Sequence, residues 1–312
     1  MAEILINATS LGIIWAVLAI GVFVTFRILD IADLSCEGVF PLGAAVTARI
    51  ISQGGDPVVA CLAAILAGAI AGSVTGLLHT KLKIPILLSG ILSMTALYSI
   101  NLRVLGKANI SLLRLDTIYS SIEKMFSTDN RASTLIVGLF CVFLVILVIW
   151  WFLNTELGLS MRATGNNTQM IRSLGVDTDT MFMTGLIIGN ALIAFAGALI
   201  AQKQSYADIG MGTGTIVIGL ASVIIGKVLF GKRSVLQHII AILLGSVIYR
   251  IIISLILEID FEIQLGGNVY PISVEPTDLK LFTAILVTFA LSLPVIKQKF
   301  ASRKATAISK TL

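Results

Sequence analysis

The chain has 312 residues, of which 57% are hydrophobic and 12% are charged, and its mean hydropathy is +1.00. This composition excludes a soluble globular domain and indicates an integral membrane protein. Lys and Arg outnumber Asp and Glu by 22 to 17. These basic residues are scattered between apolar segments and concentrated at the C-terminus, so membrane topology explains them better than nucleic-acid binding.

Apolar segments of about 20 residues recur along the chain, which is the length that a helix needs to cross a hydrocarbon core about 30 Å thick. The strands of a membrane barrel would alternate apolar and polar residues instead. We therefore predict an all-α integral membrane protein with about eight or nine transmembrane helices, in a single transmembrane domain over residues 1–312. The predicted spans lie near residues 4–26, 38–53, 57–78, 84–104, 132–153, 180–201, 213–230, 235–256 and 279–296.

Two of these segments are short or interrupted. They are 38–53 and 84–104, and Pro85, Asn101 and Arg103 lie in or beside the second. A broken or re-entrant helix is the alternative at either position, because irregular backbone at membrane depth is tolerated where protein buries it. The first apolar segment lacks a basic n-region and is too long for a signal-peptide core, so we expect it to remain as a span.

Small residues predict where helices approach each other closely. Gly68, Gly72 and Gly76 have i, i+4, i+8 spacing on one predicted helix, and Gly185 and Gly189 repeat the spacing on another. Close backbone approach drives helix association in lipid, where the hydrophobic effect between helices is absent. We interpret these glycines as packing residues rather than ligand contacts.

The basic tail, residues 297–312, indicates the orientation of the chain. It carries no acidic residue, and its basic residues are Lys297, Lys299, Arg303, Lys304 and Lys310. This pattern is typical of a cytoplasmic end, so we predict that the C-terminus is inside. Counting spans backwards places residues 154–178 inside as well, and it places the wholly acidic stretch 258–278 outside.

The polar loop 154–178 carries helix start and stop signals of its own. Residues 166–168 are Asn, Asn and Thr, which are types that begin helices, and Gly175 is placed to end one. Gln169–Leu174 can form about two turns between these signals. We predict a short helix at the membrane face, and a helix that lies in the headgroup layer without a protein partner is the alternative.

Several segments resemble a known family. They are GLSMRATGNN (158–167), LGV (174–176), FAGALIA (195–201), IGLASVIIGK (218–227) and DLSxEGxFxLGA (33–44). In combination they are similar to the permease subunits of bacterial ABC importers, in the branched-chain amino acid and ribose-type permease family. INLRVLGKANI (100–110) is similar to a subgroup associated with lipoproteins that bind aromatic amino acids.

The resemblance implies that the loop helix docks into a groove on a separate ATPase subunit. The predicted coupling residues are Arg162, Ala163, Gly165, Asn166, Asn167, Met170, Ile171, Arg172, Leu174 and Gly175. Physical chemistry agrees, because the apolar Met170, Ile171 and Leu174 share one side of the helix and can enter a cleft whose rim carboxylates pair with the arginines. The resemblance also implies a homodimer in the bacterial inner membrane, in contact with lipid, and an extracytoplasmic binding lipoprotein received by residues 103–131 and 258–278.

The chain shows no energy source of its own. Gly226, Gly231 and Lys232 match the start of a phosphate-binding loop, but Arg233 occupies the Ser/Thr position and the segment joins two spans instead of a strand and a helix. His79 and His238 are far apart in sequence, which does not favour a shared metal site. The three cysteines are better explained as buried packing residues than as metal ligands. We expect no enzyme activity, metal or cofactor in this chain, with ATP and Mg²⁺ bound by the partner ATPase.

Polar residues inside spans cost about 2.5–3.5 kcal/mol when ionised at the helix centre, so each strongly polar position is a functional candidate. The predicted translocation path consists of Ser89, Ser93, Thr95, Tyr98, Asn101 and Asn190. An interhelical hydrogen bond is the alternative for Asn190. We interpret Asp30, Asp33 and Glu37 as boundary carboxylates that cap the next helix, with a cation site as the alternative.

We predict an importer subunit that moves an amino acid, aromatic by the subgroup resemblance. A sugar or nucleoside permease of the same family is one alternative. An ion-coupled secondary transporter is another, although such proteins often contain inverted repeats and intramembrane carboxylates, and we find no convincing repeat. A membrane scaffold without transport is the third.

Overall fold

The protein is described by a computed structural model. The described residues are 2–127, 129–231, 234–258, 260–265, 268–273, 278, 281–285, 288 and 292. Within them, seven helical segments are long and apolar enough to cross a membrane: Glu3–Ile28, Pro57–Thr80, Ile86–Leu105, Asn130–Leu153, Thr178–Gln204, Ile209–Phe230 and Val235–Leu257. The prediction of an all-α membrane protein is therefore confirmed. The ninth predicted span, 279–296, and the basic tail lie mostly or wholly outside the described residues.

The helices follow one another along almost the whole described chain. They are α1 (Ala2–Phe23), α2 (Cys36–Ser52), α3 (Pro57–Thr80), α4 (Ile86–Leu105), α5 (Ile118–Phe126), α6 (Asn130–Leu153), α7 (Glu156–Asn166), α8 (Thr168–Ser173), α9 (Thr178–Gln204), α10 (Thr215–Phe230) and α11 (Val235–Leu257). A π-helical turn, Val24–Ile28, continues α1, and a 3-10 turn, Ile209–Gly212, precedes α10.

Four short strands, which the sequence did not suggest, form two small antiparallel sheets. β1 (Asn109–Ser111) pairs with β2 (Tyr206–Asp208), with Ile110 opposite Ala207. β3 (Asp260–Leu265) pairs with β4 (Asn268–Ser273). These sheets lie in connections between helices and leave the helical architecture unchanged.

Of the two doubtful segments, one is a continuous helix of 20 residues and the other is a shorter helix of 17 residues. α4 is continuous, because Pro85 precedes its first turn as the N-cap residue and so removes no internal hydrogen bond. α2 has 17 residues and follows an irregular segment, 29–35. A Cβ on Gly38, in the first turn of α2, would lie 3.0 Å from Met94 Cα and from Leu97 Cβ. Because Met94 and Leu97 lie midway along α4, α2 begins near the middle of the membrane.

The centre of the bundle is formed by α9 with α1, α2 and α3. A Cβ on Gly68 would lie 2.5 Å from Asn190 O, and a Cβ on Gly72 would lie 2.4 Å from Leu186 O, so α3 and α9 meet backbone to backbone. Gly189 is also closely packed, since a Cβ there would lie 2.7 Å from Thr25 Cγ2 and 3.2 Å from Gly21 O of α1. The predicted role of these glycines in close packing is confirmed.

Ion pairs and a strand pairing identify the two ends of the bundle. At one end, called here the α7–α8 end, Lys83 before α4 forms an ion pair with Asp179 at the start of α9, with 2.6 Å between Nζ and Oδ2. At the opposite end, Arg131 pairs with Glu3 across 2.9 Å. The pairing of β1 with β2 also lies there, since both strands follow spans that run away from the α7–α8 end. The alternation of sides therefore matches the predicted order of loops.

Candidate functional site

The predicted short helix is present as α8, and its ends follow the predicted signals. Asn167 is the N-cap, and its Oδ1 accepts a hydrogen bond from Met170 N at 3.0 Å. Leu174 is the C-cap residue. Gly175 has a φ of +87°, a left-handed conformation that glycine adopts without a Cβ penalty. Local chemistry thus begins and ends this helix where the sequence indicated.

A second helix in the same loop, α7, was missed by the sequence reasoning. It begins at Thr155, whose Oγ1 accepts from Gly158 N at 3.3 Å, and Glu156 lies in its first turn. A Thr N-cap followed by an acidic residue is the signal that could have revealed it. α7 packs tightly, because a Cβ on Gly165 would lie 1.9 Å from Ile28 O. Gly165 therefore has a packing role, whatever its part in coupling.

The side chains of α8 divide between the bundle and the surface. Leu174 is 70% exposed and Met170 is exposed as well, whereas Ile171 is only 6% exposed. The expectation that Ile171 enters a partner's cleft does not fit this burial, because the side chain already packs within the chain. The exposed apolar surface of α8 is formed by Met170 and Leu174.

The predicted coupling arginines differ in their surroundings. Arg172 Nη2 donates to Thr178 Oγ1 at 2.7 Å and lies 3.7 Å from Asp179 Oδ1, so it links α8 to the start of α9. Nearby, the Thr180 hydroxyl donates to the Asp177 carboxylate and holds the pKa of that group below its usual value.

Arg162, the other predicted coupling arginine, lines a polar cavity of about 410 Å³ at the α7–α8 end. Its charged or polar lining residues are Arg27, Asp30, Arg162, Asn166, Ser234 and His238. The remaining coupling candidates are the half-buried Ala163 and the exposed Asn166 and Asn167.

Three of the six predicted path residues are closed into helix contacts. Asn190 Nδ2 donates to Asp33 Oδ2 at 2.8 Å and to Leu186 O at 3.0 Å, and Asn190 Oδ1 accepts from Ser35 Oγ at 3.2 Å. Ser93 Oγ accepts from Thr75 Oγ1 at 2.8 Å, and Ser89 bonds to backbone at the start of α4. Asn190 therefore makes the interhelical hydrogen bonds that were the alternative to a role in the translocation path.

The other three path residues, Thr95, Tyr98 and Asn101, lie together on a cavity of about 360 Å³, called here the α2–α4 cavity. It is bounded by the start of α2, the middle of α4 and the 3-10 turn before α10. Its full lining is Glu37, Gly38, Pro41, Met94, Thr95, Tyr98, Asn101, Ile209, Gly210 and Thr213. Half of the predicted path residues are therefore used in hydrogen bonds within the bundle, and the other half line the α2–α4 cavity.

Glu37 is a cavity residue that sequence reasoning placed elsewhere. It lies in the first turn of α2 beside Gly38, at the depth of the middle of α4. Its Oε1 accepts from Gly214 N at 3.0 Å, just before α10. The interpretation of Asp33 and Glu37 as boundary caps of the next helix holds only in part. Asp33 Oδ1 accepts from Ser35 N at the start of α2, and Glu37 lies in the first turn, but this start is level with the middle of α4 and not with an end of the bundle. The N-cap residue of α2 is Ser35, which makes no capping side-chain bond, and Glu37 faces another segment. The signal was present as a carboxylate within the block 33–44, but the depth at which α2 begins was not visible in the sequence.

Arg250 is a charged residue within a membrane-spanning helix, α11. Its guanidinium lies over the ring of Trp15, with 4.1 Å between Cζ and the ring centroid. This cation–π contact joins α11 to α1. Within the described part of the chain, no group of three or more His, Cys, Asp and Glu side chains is arranged to hold a metal ion.

Comparison with known proteins supplies the family context of these sites. Residues 4–291 match the family described as branched-chain amino acid transport system / permease component. A tyrosine transport system permease protein of Clostridioides difficile (strain R20291) is 41% identical over 283 residues, which cover 91% of this chain and 88% of that protein. An uncharacterized protein of Rickettsia prowazekii (strain Madrid E) is 34% identical over 93% of this chain and 97% of its own length.

A more distant relative imports a different solute. An autoinducer 2 import system permease protein of Yersinia pseudotuberculosis (strain YPIII) is 27% identical over 68% of this chain and 58% of that protein. No solved structure matches the chain.

Proposed function

The chain belongs to the permease family of branched-chain amino acid transport systems, and on this premise we propose that it is the membrane-spanning subunit of a bacterial ABC importer for an amino acid. The cargo is an aromatic amino acid, in keeping with the 41% identical tyrosine transport system permease and with the segment 100–110. The protein lies in the inner membrane with its C-terminus and its α7–α8 end in the cytoplasm.

The observation that carries the coupling part of the proposal is the exposed apolar surface of α8. Leu174 and Met170 are exposed at the α7–α8 end of the bundle, while Arg172 fixes α8 to the start of α9. A helix tied in this way can transmit the movement of a bound protein to a span. A separate ATPase, which holds ATP and Mg²⁺, receives these side chains.

The opposite end offers exposed apolar side chains to a binding protein. Leu113, beside β1, is 72% exposed, and Met125 and Phe126 at the end of α5 are exposed as well. A binding lipoprotein that docks on segment 103–131 delivers the amino acid there. Two copies of the chain place their pore at a shared interface, which would cover the exposed polar side chains Thr95 and Ser99 on α4.

The test uses the permease purified with its ATPase and reconstituted in vesicles that receive the binding protein. We expect ATP-dependent uptake of labelled tyrosine or phenylalanine. L174D should reduce copurification of the ATPase about tenfold or more, because a buried interface would then contain an unpaired charge. L113D is the matched control, an equally exposed leucine at the other end, and it should leave the ATPase attached.

Three outcomes would contradict the proposal. Uptake without any ATPase would indicate an ion-coupled transporter, and uptake of sugars or nucleosides in place of amino acids would indicate the other cargo class. Equal ATPase copurification in L174D and L113D would remove α8 from the interface.

A further inference from the structure

We propose that the α2–α4 cavity is a substrate subsite in which the Glu37 carboxylate receives the ammonium group of the transported amino acid. The inference rests on the proposed function and deepens it by assigning a contact to the cargo. It adds a residue, Glu37, that the predicted path did not contain.

The first observation is the charge and depth of Glu37. The residue lies beside Gly38, which packs against Met94 and Leu97 midway along α4. An ionisable side chain at such depth is costly and marks a functional position by default. The start of α10 offsets part of this cost, since Gly214 N donates to Glu37 Oε1 at 3.0 Å. Within the described residues, no Lys, Arg or His forms an ion pair with Glu37. The carboxylate therefore lines the cavity without a cationic partner.

Asp33 is a nearby carboxylate whose two oxygens, unlike those of Glu37, both have hydrogen-bond partners within the bundle. Its Oδ1 accepts from Ser35 N at 2.9 Å, and its Oδ2 accepts from Asn190 Nδ2 at 2.8 Å. Both oxygens are thus used inside the bundle, and Asp33 does not line the α2–α4 cavity. The two carboxylates are four residues apart, yet only Glu37 borders open space.

The second observation is an amide on the same cavity that lacks a partner. Asn101 is 1% exposed, and its Nδ2 donates to Gly38 O at 2.9 Å. Its Oδ1 is buried and has no hydrogen-bond partner. Buried acceptors are almost always paired, so this oxygen on the cavity wall is free to accept from a donor that a ligand brings. An ammonium group brings three such donors, enough for a carboxylate and an amide oxygen.

The third observation is the aromatic side chain at the edge of the cavity. Tyr98 lies one turn before Asn101 on α4 and is 58% exposed. An aromatic ring of the cargo can pack against it in an offset or edge-to-face arrangement. The cavity volume of about 360 Å³ is within the range of about 300–1,000 Å³ that small-molecule sites occupy. The negative charge of Glu37, the unpaired acceptor of Asn101 and the aromatic ring of Tyr98 together fit the ammonium group and the ring of an aromatic amino acid.

The test compares E37Q with E3Q in vesicles that contain the permease and ATPase and receive the binding protein. E37Q keeps an acceptor for Gly214 N but removes the charge, so we expect initial uptake of labelled tyrosine to fall about tenfold or more. E3Q is the matched control, because Glu3 is exposed at the surface of the bundle, and it should transport as the wild type does.

A second pair of variants decides the question if E37Q fails to fold. Y98A removes an exposed ring and Y98F keeps it, so Y98A alone should lower tyrosine uptake. Photolabelling of the purified complex with p-azidophenylalanine should modify α4, and tyrosine should compete while its analogue without the amino group should not. Wild-type uptake in a folded E37Q overturns the subsite, as does equal uptake in Y98A and Y98F. If the wild-type vesicles take up no amino acid with ATP, the proposed function fails instead.

Discussion

α2 is packed differently against α9 and against α4. Toward α9 it meets backbone directly: a Cβ on Gly43 would lie 1.9 Å from Ala194 O, and a Cβ on Gly197 of α9 would lie 2.1 Å from Phe40 O. Toward α4 it leaves a cavity of about 360 Å³, lined by Glu37 and Asn101 among others. Direct backbone contact therefore marks the positions that hold the bundle together, and the cavity marks the positions that can contact a transported ligand.

Physical chemistry explains why the two sides need different residues. Helices gain little from the hydrophobic effect in lipid, so small residues and satisfied hydrogen bonds supply the association. Asn190 belongs to this closed side, because each of its polar atoms has a partner. An open polar side is unfavourable for stability alone, and a function is the reason to retain it.

The largest expected effect is on the closed side. We expect G43A to destabilise the protein by about 3 kcal/mol, because the added methyl meets the Ala194 backbone, which cannot move aside. G76A is the control, since its added methyl would lie 2.5 Å from Met183 Sδ, the far end of a flexible side chain; a loss of about 1 kcal/mol is expected there. Thermal unfolding of the purified proteins in detergent measures both. Equal losses would show that α2 and α9 are less tightly packed than the distances indicate.

An intermediate effect on stability is expected when Asn is replaced by Leu, once on the α9 side of α2 and once on the α4 side. N190L should cost about 2 kcal/mol, because it leaves Asp33 Oδ2 buried without a donor. N101L removes one hydrogen bond to Gly38 O but also removes the unpaired Oδ1, so its cost should be about 1 kcal/mol. The same unfolding measurement compares them. A larger loss in N101L than in N190L would reverse the assignment of closed and open sides.

The smallest effect should come from the surface of the α7–α8 end. Lys83 pairs with Asp179, but its side chain is 69% exposed. We expect K83A to change stability by less than about 1 kcal/mol, and the difference should shrink in high salt. Unfolding at low and high ionic strength checks this. A large, salt-insensitive loss would mean that this pair is part of the packed structure.

Local segments could be predicted from the sequence because their signals are short-range. The start and end of α8 depend on Asn167 and Gly175, which act within a few residues. α7 was missed, although Thr155 as N-cap and Glu156 in the first turn are local signals for its start. The close approach at Gly68 and Gly72 followed from spacing alone.

The candidate site could be predicted only in part. Thr95, Tyr98 and Asn101 are polar residues of the fourth predicted span, and the structure places all of them on the α2–α4 cavity. Ser89 and Ser93 lie on the same helix but are closed by contacts with backbone and with Thr75. Which polar residues meet open space depends on the neighbours of α4, and the sequence of α4 does not contain them.

The sequence by itself determined the helical membrane architecture, the small-residue seams and the ends of α8, because hydrophobic length, residue size and capping act locally. Only the tertiary structure decided that α2 begins midway through the membrane and that Glu37 reaches Gly214 at the start of α10, 177 positions away in sequence. Depth within the bilayer and contact between distant segments depend on how all the helices pack. A carboxylate that resembles a boundary residue in the sequence can therefore lie at the centre of the protein.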